Sequence, residues 1–515
     1  MKPATMLFLV LALAPLAPAR AAHPPAPLGE LRISLLDGDV QMRTVETGDW
    51  VPAAINTPVR AGDRLWVPAG ARLELQLRDG SAVRLDQRSA LEVLRLEADS
   101  FQFYLTRGQA FVNFHGQRDQ TLQLDTPFAA LRAHDRAVFR VDVGESGDTD
   151  LGVIQGLVRA DSRRERTPVH AGERLMLREH GTEVAALGPA DAWERWNMAR
   201  DRELDTRRES VRYLPEELSP YAYDFDAYGR WVRVPDYGWV WTPVYLSAGW
   251  APYRHGRWMW IGGDYVWISY DHWGWTPHHY GRWVFASGFG WCWVPPHRGA
   301  VYWAPGWVAW VHSHPQVAWV PLAPSEIYYG YGHYGPHSVN LLQVNIHKTL
   351  IKPAYRNARI EGAVTAVHHD GFLKGRPAEL RLKDNPFLRE EIRPGRPEIK
   401  PERATFAPII KDIPRAARPP AALEGIEIRR LQETRPLVKE PARPVFRPEA
   451  PVQPAPSQER RVPEAPRAPA VTVPAERRPE TAPREPQRPQ VIGPTPAERR
   501  PQPVAVEGRP HGHAI

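Results

Sequence analysis

Between Leu31 and Leu187 apolar and polar positions alternate at short spacing. Leu73-Glu74-Leu75-Gln76-Leu77 runs through Arg78-Asp79-Gly80-Ser81 into Val83-Arg84-Leu85, which is a half-buried strand, an Asp-Gly turn and the return strand. Similar runs at Phe101 to Leu105, Ala110 to Phe114, Thr121 to Asp125, Ala137 to Val143 and Leu151 to Val158 predict an all-β domain over residues 31–187. The period then changes. From Pro189 to about Tyr213, Trp193, Trp196, Leu204 and Val211 fall at helical steps behind Asp191, a capping residue, so one amphipathic helix is expected over 189–213. Its Trp193 and Trp196 stripe is expected to pack on the β domain; the alternative is an anchor in a membrane surface.

A third pattern occupies residues 221–324. Gly229-Arg230-Trp231, Gly256-Arg257-Trp258 and Gly281-Arg282-Trp283 recur roughly every 25 residues, and sixteen of the twenty tryptophans lie between Trp231 and Trp319. After each phrase come a turn signal and a second aromatic run: Trp239-Val240-Trp241, Tyr265-Val266-Trp267 and Trp291-Cys292-Trp293. Two aromatic strands joined by a Gly-containing loop read as a β-hairpin, copied three to four times. An extension over 325–376 carries one more short strand, Gly362 to Val367. From 377 to 515 the chain holds about half of its fifty-five prolines and no tryptophan. Burial there cannot offset conformational entropy, so an unfolded tail is expected. The predicted fold class is mainly β: an all-β domain, one linking helix, a hairpin-repeat domain and a disordered proline-rich tail.

The ends and the charge add a location and partners. Residues 1–22 have one Lys near the start, an apolar run from Met6 to Ala14 and Ala19-Arg20-Ala21, the pattern of a cleaved secretory signal peptide. Pro15 and Pro18 interrupt that run well short of the ~20 residues a membrane span needs, and no later run is long and apolar enough for a transmembrane helix. A periplasmic or secreted protein is expected. Cys292 is the one cysteine, which excludes an intramolecular disulfide; between Trp291 and Trp293 on a strand it reads as a buried, inert thiol. The net charge of +7 belongs to the tail, where residues 376–515 hold 27 Lys and Arg against 19 Asp and Glu, a difference of +8. In an exported protein such a tail suits anionic envelope surfaces or a partner protein, and nucleic acid is not expected.

Several positions carry a resemblance. Gly38-Asp39-Val40, the step from Pro58 to Gly62-Asp63 and Leu65, Leu75 to Ser81, Gly108 with Ala110 and Val112, Thr126-Pro127, and Val153 with Gly156 and Val158 occur in this order, and the segment resembles the FecR domain. The resemblance implies a β fold and an exported protein. FecR itself senses a siderophore receptor with its exported part and controls a sigma factor from the cytoplasm. Here the step Gly-Thr-x-Phe of that family is His134-Asp135-Arg136-Ala137-Val138-Phe139 and no second apolar span exists, so fold and location are implied more than sigma-factor control. The tryptophan-rich segment, with Trp196-Asn197-Met198-Ala199-Arg200-Asp201 ahead of it, resembles a bacterial family of unknown function in which Tyr-Gly-Arg-Trp and Trp-Thr-Pro repeats sit behind a FecR domain.

Candidate chemistry is confined to the aromatic module. Tryptophans at i and i+2 share one face of a strand, so Trp239 and Trp241, Trp258 and Trp260, and Trp291 and Trp293, with Trp231 and Trp283, could form an aromatic ribbon that stacks on sugar rings. Arg230, Arg257 and Arg282 would then hold carboxylate or phosphate groups. The competing reading makes the indoles the core, each Arg stacked on one as a cation-π partner; both hold if one face alone is buried. His272, His278, His279, His297, His312 and His314 cluster here, but no ligand spacing repeats and no His-Glu-x-x-His occurs, so no metal is expected. No Gly-x-Ser-x-Gly elbow and no phosphate-cradling loop occurs either. The expectation is a non-enzymatic envelope binding or scaffold protein without a cofactor, recognising peptidoglycan or another polysaccharide. The alternative is a FecR-like signalling accessory that binds an envelope receptor protein; a cell-wall hydrolase, needing two converging carboxyls, ranks third.

Overall fold

The computed structural model of the chain describes residues 28–117, 119–206, 208–313, 315–344, 354–375, 385–388 and 393–438. The expected signal segment, 1–22, and the end of the tail, 439–515, lie outside the described residues.

Sixteen strands between Leu31 and Ala186 build two sheets that share one long strand, Ser100–Phe114. Up to Arg107 that strand pairs with Ser89–Glu97 and, in parallel, with Thr121–Asp125; from Gly108 on it pairs with Ala82–Leu85 and Ala137–Val143. The two sequence runs at Phe101 to Leu105 and Ala110 to Phe114 are therefore one strand that crosses between sheets. It turns at Gly108, whose φ is +92° and whose added Cβ would stand 2.3 Å from Ser89 Oγ. The run from Leu151 to Val158 does the reverse: at Gly156, φ +81°, it divides into Thr149–Gln155 and Leu157–Ser162, one in each sheet.

Alternation decides which side chains enter the sandwich. Leu65, Leu91, Phe103, Leu122 and Leu131 of one sheet meet Leu75, Val83, Val112, Phe139 and Val153 of the other in a single buried core. The alternate positions are polar and yet buried, because other elements cover both outer faces. On one face Arg84 donates to Glu74 at 2.7 Å and to Asp201 of the helix Ala192–Thr206 at 2.6 Å, with Arg200 of that helix 3.3 Å from Glu74. Burial alone would raise the pKa of Glu74; Arg84 and Arg200 override it and bring it down to about 2. Asp191 caps the helix, accepting from Glu194 N at 2.8 Å. Trp193 and Trp196 stack on each other and on Arg72, so the tryptophan stripe faces the β domain. The helix stops at Thr206 rather than Tyr213; Glu209–Arg212 is a separate 3-10 turn tied down by Ser210 N to Asp226 at 3.0 Å.

The other outer face is covered by chain that composition assigns to the unfolded tail. Residues 393–438 run across both domains as a strap of short turns and one short helix, Ile428–Thr434, so the expectation of an unfolded tail does not hold over these residues. Arg64 donates to the carbonyls of Leu423 and Ile426, Gln102 to that of Arg435 at 2.8 Å, and Gln123 to that of Pro436 at 3.3 Å. Leu423 closes over Trp66 and Ala90. Each proline in the strap lacks an N–H donor but keeps its carbonyl, and here polar side chains of the sheet bond several of the strap's carbonyls.

The tryptophan-rich domain has four hairpins: Gly229–Val234 with Gly238–Pro243, Gly256–Ile261 with Asp264–Ser269, Arg282–Ala286 with Gly290–Val294, and Val308–Ser313 with Gln316–Pro321. The first and third join through Trp241 and Trp293, and Thr365–His368 extends the fourth, where the sequence predicts a strand. The repeat phrase has a steric origin. Trp231 pairs across its hairpin with Trp241, Trp258 with Trp267 and Trp283 with Trp293. The glycine two residues earlier makes room for the second indole: an added Cβ at Gly229, Gly256 or Gly281 would lie 2.2, 2.7 or 2.6 Å from Trp241, Trp267 or Trp293.

Both domains belong to one compact unit. Arg32 reaches Asp224 at 2.8 Å, Asn56 donates to the carbonyls of Ser269 and Asp271 at 3.1 and 2.7 Å, and Met259, Ile261, Val266 and Ile268 of the second hairpin cluster with Ala54.

Candidate functional site

Of the sixteen tryptophans between Trp231 and Trp319, eleven are buried, four are half-buried and Trp239 alone is exposed. Trp241, Trp258, Trp283, Trp291 and Trp293 lie in the core, which corrects their reading as a sugar-stacking floor. The cause is the cross-strand register just described: it gathers the indoles on one side of each hairpin, and the helix Ala222–Tyr228 and neighbouring hairpins pack into the same core. Three of their N–H groups are bonded inside, while that of Trp258 is buried without a partner. Trp241 donates to Phe225 O at 3.0 Å, Trp283 to Pro277 O at 2.8 Å and Trp293 to Tyr280 O at 2.8 Å. Trp260 is half-buried beneath Arg396, whose guanidinium lies 5.0 Å from its ring. What remains outward is an edge formed by Trp239, 48% exposed, and half-buried Trp231, both within 5.0 Å of the Tyr213 ring. Tyr213 was not singled out by sequence because it lies beyond the repeat, at the end of the linking segment.

The three repeat arginines, equivalent in sequence, have three different fates. Arg230 is exposed. Arg257 is buried beneath Gly375 and the strap, with one hydrogen bond, Nη2 to Ala404 O at 2.7 Å, while its Nε and Nη1 are buried without a partner. Burial pushes its pKa down to about 10. It cannot reach a ligand, which corrects its place in the platform. Arg282 lies 3.6 Å over the ring of Trp307 and donates once, from Nη1 to Gly281 O at 2.9 Å. Its Nε is buried and unpartnered, and burial pushes its pKa to about 10. It lines a cavity of about 160 Å³ with Val294, Pro295, Tyr302 and Tyr334. Trp307 and Tyr334 escaped sequence reasoning; the one signal for them is that the aromatic run continues past the third repeat.

The other candidate groups have structural partners. His278 and His279 are buried, their Nδ1 atoms 2.7 and 2.8 Å from Gly274 O and Ala304 O. Burial pushes their pKa values to about 4 and about 3, so both rings are neutral at physiological pH. Burial likewise raises the Cys292 thiol to about 11, which suits an inert side chain. Asp264 is raised to about 6 by burial despite Arg396 at 3.2 Å. Among the described residues no group of three metal-ligating side chains forms; His314 lies outside them.

Residues 63–159 match the family described as FecR protein. The chain carries a FecR domain. Residues 222–326 match a family of unknown function, DUF6600, so the FecR domain is followed by the tryptophan-rich domain in the order that the resemblance implied. No curated protein matches the chain. Two crystal structures of a candidate anti-sigma factor from Parabacteroides distasonis are similar to part of it. The first is 19% identical with a TM-score of 0.23, over 26% of this chain and 64% of that one. The second is 18% identical with a TM-score of 0.22, over 24% of this chain and 59% of the other. The chain thus spans less than two thirds of the length of either solved chain. Within the described residues no helix is long and apolar enough to cross a membrane.

Proposed function

We propose that this chain is a non-enzymatic, exported recognition protein of the cell envelope, a FecR-like accessory whose two domains act as one body to bind an envelope receptor protein. The observation that carries this reading is the inward packing of the hairpin indoles, with Trp241, Trp283 and Trp293 fully buried. An aromatic ribbon for sugar rings would need those faces in solvent. Fixed attachment of the β sandwich that contains the FecR match through Arg32 and Asp224 supports a rigid composite surface, as recognition of a folded partner favours. The full-length mature chain, immobilised and incubated with envelope extract, is expected to retain one protein near equimolar amount, and protease digestion of the extract is expected to abolish retention. Binding to washed, protease-treated cell-wall polymer would overturn the reading.

A second reading rests on the exposed edge of Trp239 beside Tyr213. It allows a short stacking site for one sugar ring of an envelope polysaccharide. Trp239→Ala separates the two readings: it leaves capture of a protein intact and removes sedimentation with polysaccharide.

A further inference from the structure

Arg282 is a cation without a counter-ion. Among the described residues no carboxylate comes within ion-pairing distance of it. The nearby Glu326 has both oxygens occupied, one by Ala323 N at 2.7 Å and one by Arg356 N at 2.8 Å. Arg282 is half-buried, with its Nε out of contact with water, and a guanidinium partly withdrawn from water normally takes an anionic partner, since an unpaired buried charge is costly. Here the side chain instead spreads over Trp307 and borders the cavity, with Nε lacking any partner. The walls are largely apolar: Val294, Pro295, Pro296, Tyr302 and Tyr334 surround about 160 Å³. A cavity of about 150 Å³ holds a benzene-sized ring.

We propose that this cavity binds a small organic carboxylate, its anionic head on Arg282 and its ring or short apolar body against Tyr302, Tyr334 and the prolines. One guanidinium balances one negative charge, and its fork matches two carboxylate oxygens. His297 and His337 also line the cavity, but no second Lys or Arg does, as a phosphate dianion would favour. The proposal stands apart from partner-protein binding and does not depend on it.

The test uses the full-length mature chain titrated with benzoate, glucuronate and the neutral analogue benzyl alcohol, read by tryptophan fluorescence and calorimetry. Saturable binding of a carboxylate is expected at about 1 mM or tighter, and benzyl alcohol is expected to bind at least tenfold more weakly. Arg282→Met removes the cation and Ala300→Phe fills the cavity from its rim, where Ala300 is one of the lining residues. Each is expected to weaken carboxylate binding at least tenfold; should Arg282→Met fail to fold, Ala300→Phe decides. Absence of carboxylate binding at about 10 mM, equal binding of benzyl alcohol, or unchanged affinity in the folded variants overturns the proposal.

Discussion

Arg32 of the β sandwich that contains the FecR match and Asp224 of the tryptophan-rich domain meet at 2.8 Å with 4% and 13% of their side chains exposed. Arg32 also donates to Gln76 at 2.9 Å and to Asn56 at 3.1 Å, so its position is fixed from the sandwich side and Asp224 is what the second domain contributes. Asp224→Ala leaves a buried guanidinium with one partner missing. Such losses cost roughly 3 kcal/mol. Urea unfolding is expected to show that loss both in tryptophan fluorescence, which reports the hairpins, and in far-ultraviolet dichroism, which the FecR strands dominate. A change confined to one probe would mean that the domains unfold separately.

The repeat glycines are expected to be intolerant of even a methyl group. Gly229 has φ −163°, an extended conformation open to any residue, so Gly229→Ala tests sterics alone, against an indole 2.2 Å from the added atom. A loss of about 1–3 kcal/mol is expected. Trp241→Phe in the same chain is expected to recover part of it, giving a favourable coupling in a double-mutant cycle. Additive costs would contradict the contact.

The strap over the FecR sheet is held largely through its carbonyls, so cutting one donor should loosen it locally. Arg64→Ala removes the hydrogen bonds to Leu423 and Ile426. Amide exchange around residues 421–434 is expected to accelerate roughly tenfold or more, with exchange in the first and third hairpins unchanged. Unaltered exchange near Leu423 would show that Arg64 is not an anchor.

Glu92 gives the fold a pH dependence of known sign. It is buried beside Thr106, whose hydroxyl donates at 2.7 Å, and burial pushes its pKa from 4.5 to about 7. Between those values the folded state holds a proton that the unfolded chain has released, so stability falls as pH rises through the window. His278 and His279, lowered to about 4 and about 3 by burial, act in the opposite sense below their unfolded pKa of 6.5. A comparison with Glu92→Gln isolates the carboxyl. Its unfolding midpoint is expected to drop less than that of the parent between about pH 5 and about pH 7, and equal slopes would contradict the assignment.

Strand placement was legible because period-2 alternation states which face is buried: Thr121–Asp125 and Ala137–Val143 have the bounds that alternation gives. Alternation does not say where a strand changes sheets, and Gly108 and Gly156 show why, one carrying a strand onward and the other dividing it. The unfolded reading of residues 393–438 failed for a different reason. Composition measures what a segment can bury in itself, whereas Gln102, Gln123 and Arg64 supply the partners from outside. The candidate site was half legible. Repetition marked Arg230, Arg257 and Arg282 together, but what covers each one comes from distant chain: Ala404 over Arg257 and Trp307 beneath Arg282.

The claim that the indoles form an inward core is tested most directly by hydroxyl-radical footprinting of the native full-length chain, read residue by residue by mass spectrometry. Trp239, 48% exposed, is expected to oxidise first among the hairpin tryptophans, while Trp241, Trp283 and Trp293, all fully buried, stay protected until the chain unfolds. Oxidation of those three at the rate of Trp239 would contradict the core and restore an open aromatic face.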